Sequence, residues 1–395
     1  MRKFKALVLF LLLCLATSMA PTHALALSPT AQTSDTGKSA INMLLGLLLG
    51  DLFTKVFHID LSKIGNNMPA GTGDNGNVII KPTSAKDVVG FYAEWYGDDT
   101  ASFDDLGKHT DVISTIAPLW AGVHRDGSVT NRGGNDHPSV VKFAHGHKIS
   151  TLLLVNNADS GIHNVLSNAD TRQTAINNLE AYIKKYNLDG INVDFESVDP
   201  NDRDNLTQFM KELSLRLKPQ GYVVSIDVFP KHNEENDMAN AYDYAALSQY
   251  ADKIMLMTYD YHGGWSDPGA VAGISSVEQD LRYALDLIPK NKLYLGIAGY
   301  GYDWSSKGTE SMEFGAISNL VNKFGSTVEW DDAAKAPHFS YTGSDGVTHQ
   351  VWFENSQSIK YKVNLVNKYD IAGIALWKLS EEDPADWDVI KTAFK

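Results

Sequence analysis

Leu188-Asp189-Gly190-Ile191-Asn192-Val193-Asp194-Phe195-Glu196 is the stretch on which the fold of this chain turns. Successive side chains of a strand point to opposite faces, so Asn192, Asp194 and Glu196 share one face and Ile191, Val193 and Phe195 the other. On an antiparallel edge strand such a polar row would simply meet water. Here the strand lies between two helical patterns, where a parallel strand covered by helices is expected to be apolar on both sides. A polar row in that setting faces the interior of a barrel and ends at the C-terminal rim, where barrel enzymes place their sites.

Working outward, residues 171–186 carry Ile176, Leu179, Tyr182 and Ile183 at helical spacing, with Asp170 where an N-cap would stand. Residues 205–217 and 276–287 behave alike. Short β-branched or aromatic runs predict strands near 88–93, 112–118, 149–155, 190–196, 222–228, 253–259, 292–299 and 371–377. Eight strands alternating with helices can close, so the expected fold class is α/β, a (β/α)8 TIM barrel occupying residues 85–395. The interval between the seventh and eighth strands is too long for one loop and one helix. The runs 328–330, 338–341 and 349–353, with the turn Ser344-Asp345-Gly346, predict a small α+β insertion at about 303–355.

Ahead of the barrel, Arg2, Lys3 and Lys5 precede an apolar run, and Ala24-Leu25-Ala26 fits a small-x-small cleavage site, so residues 1–26 read as a secretory signal. The expected location is therefore secreted or attached to the cell envelope. The single cysteine, Cys14, lies within that signal. Residues 27–84 read as a leader and linker around an apolar stretch, 41–61, too short and too charged to span a bilayer. It predicts a helix packed on the barrel, or else a peripheral envelope anchor or a self-association contact. Removing the three basic residues of the signal takes the formal charge from −14 to −17, a poor balance for nucleic-acid binding.

The polar row has a chemical logic. Crowded carboxyl groups repel when ionised, so one stays protonated near neutral pH and can serve as a general acid. Glu196, last in the row and nearest the rim, is the natural donor, with Asp194 sharing a hydrogen bond before turning towards a substrate. No metal or cofactor is expected: His145-Gly146-His147 has no third ligand at a suitable interval, and Gly299-Tyr300-Gly301 reads as a turn at a strand end, not a phosphate cradle.

Asp189-Gly190-x-Asn192-x-Asp194-x-Glu196 resembles the DGxDxDxE signature of glycoside hydrolase family 18, the chitinase family. Met257-Thr258-Tyr259-Asp260 resembles the family's MxYD segment, and Gly373-Ile374-Ala375-Leu376-Trp377 resembles its eighth strand. The resemblance covers residues 87–395 and implies a retaining, substrate-assisted hydrolysis, outside the usual two-carboxylate scheme. It implies Glu196, Asp194 and Tyr259 as the catalytic set, with Asn192, Asp260, Trp377 and Tyr92 at the substrate; Trp265, which follows a predicted strand, is expected to stack on a sugar there. For Tyr92 a place in the core is the alternative. Trp95, Trp120 and Trp304 follow predicted strands, where they would either stack on further sugars or pack internally.

Asn192 departs from the signature's aspartate, which predicts that the Asp194 pKa is less raised by repulsion. Ser197-Val198 replaces the Tyr-Pro pair that often follows the family's glutamate. Asn192 with Phe195, the run from Tyr259 to Ser266, and Trp352-Phe353-Glu354-Asn355 resemble bacterial members acting on peptidoglycan, particularly spore-cortex N-acetylglucosaminidases. The implied partner is a polysaccharide containing N-acetylglucosamine. Chitin or its oligosaccharides, and a sugar-binding barrel without activity, are the alternatives.

Overall fold

The computed structural model describes residues 82, 84–95, 99–134, 136–235 and 238–394. The expected signal, the stretch 41–61 and nearly all of the expected linker lie outside the described residues. The described chain runs β1 (Asp87–Tyr92), α1 (Ala101–Lys108), β2 (Thr115–Val123), β3 (Val129–Asn131), α2 (His137–Gly146), β4 (Ser150–Asn157), α3 (Ile162–Ser167), α4 (Ala169–Tyr186) and β5 (Gly190–Asp194). It continues through α5 (Arg203–Leu217), β6 (Val223–Val228), α6 (Tyr244–Tyr250), β7 (Lys253–Leu256), α7 (Ile274–Leu285) and β8 (Leu293–Ala298).

An insertion follows, made of β9 (Tyr300–Ser305), β10 (Gly308–Glu313), α8 (Phe314–Phe324), β11 (Glu329–Asp331), β12 (Ala336–Thr342) and β13 (Thr348–Phe353). The chain then returns through α9 (Ser356–Tyr369), β14 (Gly373–Trp377) and α10 (Asp386–Phe394). Strands β1, β14, β8, β7, β6, β5, β4 and β2 pair in that order, and β1 pairs with β2 to close the ring. All eight of these pairings are parallel. The molecule is thus a (β/α)8 barrel, with β3 added antiparallel to β2.

The alternation in β5 sorts its side chains as its spacing predicts. Ile191, Val193 and Phe195 join the apolar layer between barrel and helices. A separate inner cluster, containing Val89, Phe91, Leu154, Met255 and Tyr294, fills the barrel. Gly190 opens β5 because a Cβ there would lie 2.1 Å from the Val223 carbonyl oxygen of the neighbouring strand. Two expected strands end early. β5 stops at Asp194, since the Glu196 N–H turns to a side chain, Asn157. β7 stops at Leu256, where Thr258 Oγ1 donates to the Gly296 carbonyl at 2.8 Å and Asp260 adopts φ 59°.

Helix α4 begins earlier than its apolar spacing indicates. Its cap is Asn168, whose side chain accepts from the N–H groups of Asp170 and Thr171. Asp170 instead occupies the first turn, where a negative charge favours the helix dipole.

The insertion is a five-stranded antiparallel sheet in the order β10-β9-β13-β12-β11, with α8 beside it. It starts before residue 303. Gly299-Tyr300-Gly301 is not a turn: the chain leaves β8 and re-enters a strand at Tyr300. Gly301 permits the close pairing of β9 with β13, because a Cβ would lie 2.4 Å from that of Phe353.

Candidate active site

The C-terminal ends of the barrel strands surround a cavity of about 830 Å³. Its walls include Phe91, Asp194, Glu196, Asp227, Tyr259, Asp260, Tyr300, Trp265 and Trp377. Asp194 is the last residue of β5 and Trp377 the last of β14, so strand ends aim both at the mouth. Glu196 stands two residues beyond β5 and is held by its backbone. Asn157, the last residue of β4, accepts the Glu196 N–H at 3.0 Å and donates to the Glu196 carbonyl at 3.1 Å. Beneath it the Tyr242 hydroxyl donates to the Phe195 carbonyl at 2.7 Å.

Electrostatics separate the carboxyls. Burial, then the Glu196 carboxylate, raises the Asp194 pKa well above the usual range. The amide at 192 does not prevent this, because desolvation is the larger cause. Glu196 projects into the open cleft, yet the surrounding walls and the Asp260 carboxylate raise its pKa too. Asp260 is raised by burial and pulled back by two hydroxyl donors, Tyr300 at 2.6 Å and Tyr302 at 2.9 Å. Tyr259 stays a phenol, since burial and the carboxyls of Asp227, Asp194, Asp260 and Glu196 all oppose its ionisation. Its ring stands edge-on to Tyr300 at 6.3 Å.

Six of the eight residues that the sequence singles out come together on this cavity: Glu196, Asp194, Tyr259, Asp260, Trp377 and Trp265. Two do not. Asn192 is fully buried below the cavity, its amide oxygen accepting from Ser225 and its amide nitrogen donating to Asp227. Tyr92 points outward into the layer under the helices, edge-on to Trp120, and its neighbour Phe91 takes the cavity side of β1. Strand alternation requires that exchange: Phe91 and Tyr92 cannot both face the barrel axis.

Among the other tryptophans, Trp120 and Trp304 are packing residues whose indole N–H groups bind the Glu94 carboxylate and the Gly263 carbonyl. Trp95 is 57% exposed, with the Lys378 ammonium 5.7 Å from its ring centre, and Trp265 is 67% exposed beside Tyr302. Asn157, Asp227, Tyr300 and Tyr302 were missed at the sequence level. The signal for Asp227 was present: Ser225 and Asp227 alternate within the apolar run of β6 as Asn192 and Asp194 do in β5. The two tyrosines lay hidden in and beside a segment that reads as a turn.

A closed parallel barrel that gathers carboxyls, phenols and indole faces around one cavity at its C-terminal mouth has the make-up of a carbohydrate-cleaving enzyme. The chain belongs to glycosyl hydrolases family 18, whose model matches residues 87–382, and it is a glycosidase of that family. It is 30% identical over 310 residues to the uncharacterized glycosylase YvbX of Bacillus subtilis, covering 75% of this chain and 89% of that one. The crystal structure of the Bacillus cereus spore cortex-lytic enzyme SleL superposes with a TM-score of 0.73 at 26% identity, covering 79% of this chain and 75% of that one. A chitinase from Chromobacterium violaceum gives a TM-score of 0.72 at 29% identity, covering 78% of this chain and 99% of that one.

Proposed function

We propose that this glycosidase is exported and cleaves β-1,4 bonds next to N-acetylglucosamine in peptidoglycan, by a retaining mechanism in which the substrate supplies the nucleophile. The observation that carries the reading is the pairing of Glu196 and Asp194 at the cavity mouth, each carboxyl raised, with the un-ionised phenol of Tyr259 facing the same space. A raised carboxyl at the rim keeps the proton that a leaving glycosidic oxygen needs.

In this mechanism Glu196 protonates the glycosidic oxygen while the substrate's acetamido oxygen attacks the anomeric carbon. The C–O bond breaks and a cyclic oxazolinium forms. Asp194 orients the acetamido N–H and offsets its charge, and Tyr259 donates to the acetamido oxygen. Asp260 holds the distorted sugar, and the indole of Trp377 forms its apolar floor. Water then gives a proton to the Glu196 carboxylate and attacks the anomeric carbon, restoring the acetamide. Trp265 offers a stacking surface further along the cleft.

Similarity to the spore cortex-lytic enzyme supports peptidoglycan as substrate, together with the apolar N-terminal run expected to direct export. Chitin oligosaccharides are the second reading, favoured by the likeness to the Chromobacterium chitinase. The test compares wild type with Glu196→Gln on purified peptidoglycan and on chitooligosaccharides, with released ends identified by mass spectrometry. Wild type is expected to release N-acetylglucosamine ends from peptidoglycan, and the variant to be slower by about 10²–10⁴-fold. Equal release by both proteins would remove Glu196 from the chemistry. Release from chitooligosaccharides alone would move the substrate to chitin, and binding of glycan by wild type without release would leave a sugar-binding barrel.

A further inference from the structure

The carboxyl row of β5 has a neighbour on β6 that the mechanism above does not use. The parallel register sets Asn192 beside Ser225 and Val193 beside Ile226; Asp194 and Asp227 are the next residues on the two strands, and Asp194 acts electrostatically on Asp227. Asp227 is 1% exposed, yet it lines the same cavity as Asp194 and Glu196. Its Oδ2 accepts a hydrogen bond from the Asn192 amide. That amide presents its N–H because its oxygen already accepts from Ser225 Oγ at 2.7 Å. The other carboxyl oxygen, Oδ1, is buried and has no hydrogen-bond partner.

This arrangement fixes where a proton can sit. An ionised Asp227 would leave an anionic oxygen dry and unpaired, which is costly away from water. A neutral Asp227 must accept through Oδ2, opposite the amide N–H, so its own hydrogen belongs on Oδ1. Two carboxyls side by side in a buried site do not both ionise, and they titrate as a pair. Burial and the adjacent Asp194 carboxyl raise Asp227 well above the usual range, consistent with that assignment.

We propose that Asp227 is a positioning residue that keeps the pair's one exchangeable proton on Oδ1, beside Asp194, and so supplies the acid that the amide at 192 lacks. The inference rests on the reading of Asp194 as the group that meets the acetamide. When Asp194 turns to the acetamido N–H as an anion, that proton stays on Asp227. The pair holds one proton throughout, and Glu196 exchanges its own with the glycosidic oxygen and water.

The test uses Asp227→Asn, which keeps shape and hydrogen-bonding capacity but removes the exchangeable proton. Its partner is the swapped double variant Asn192→Asp/Asp227→Asn, which moves the carboxyl across the same hydrogen bond. Thermal melting first establishes that each is folded. The single variant is expected to lose about tenfold or more in kcat on a chitooligosaccharide with little change in KM. The acid limb of its kcat profile should move to higher pH, because the Asp194 carboxylate loses the neighbouring acid that steadies its charge. The double variant should regain most of the loss and bring the limb back.

A single variant with wild-type kcat and limb would overturn the proposal, and so would a folded double variant that recovers nothing. Infrared spectra of the unliganded proteins at neutral pH give a readout independent of turnover and of the double variant's folding. A protonated-carboxyl band of wild type that is lost or changes frequency in Asp227→Asn supports the assignment, and identical spectra contradict it. If wild type cleaves no glycan, the proposed function fails while the infrared result still decides where the proton is.

Discussion

Glu196 draws its character from two sources, the walls around it and the carboxylate of Asp260. Asp260 is in turn held by the hydroxyls of Tyr300 and Tyr302, so the carboxylate that raises the Glu196 pKa is fixed by the insertion. Withdrawing that negative charge lets Glu196 lose its proton at lower pH. In Asp260→Asn the alkaline limb of the kcat/KM profile should therefore move to lower pH, checked by initial rates on a chitooligosaccharide across the pH range. An unmoved limb would mean that Asp260 does not act on Glu196 electrostatically. At this scale the sequence conveyed that Glu196 and Asp194 meet on one cavity, because one strand and its extension carry both. It conveyed Asn192 poorly. Alternation says which face a residue is on, but not whether neighbours from the next strand cover it, as Ser225 and Asp227 do.

Elements were legible where apolar spacing is regular. All eight barrel strands were expected near their places, since a strand buried on both sides or alternating cleanly leaves little choice. Their ends were not, because polar side chains from other elements terminate them: Asn157 takes the Glu196 N–H, and Thr258 reaches the Gly296 carbonyl. The start of α4 shows the same limit on a smaller scale. Asp170 and Asn168 are both good capping residues, and only the structure tells that Asn168 accepts from two N–H groups while Asp170 lies inside the first turn. Asn168→Ala should therefore cost about 1 kcal/mol in urea denaturation. Asp170→Ala should cost only about 0.3–1 kcal/mol through the helix dipole. The reverse order would return the cap to Asp170.

At the scale of the molecule, the barrel supplies Glu196 and its neighbours from β4, β5 and β7, while the insertion supplies the tyrosines that hold Asp260. The existence of the insertion was legible from the length between the seventh and eighth barrel strands. Its first strand was not, because Tyr300-Gly301-Tyr302 carries a glycine that suggests a turn and serves close packing against Phe353. One cavity then joins residues from both parts, and the account of its chemistry assigns the nucleophile to the substrate. Retention of configuration is what that account requires, since the acetamido oxygen and then water each invert the anomeric carbon once. The direct measurement is proton NMR of the reducing end that wild type first releases from a chitooligosaccharide, read before the anomers equilibrate. Attack by the acetamido oxygen yields the β anomer first; the α anomer first would mean that water attacks directly and that the substrate is not the nucleophile.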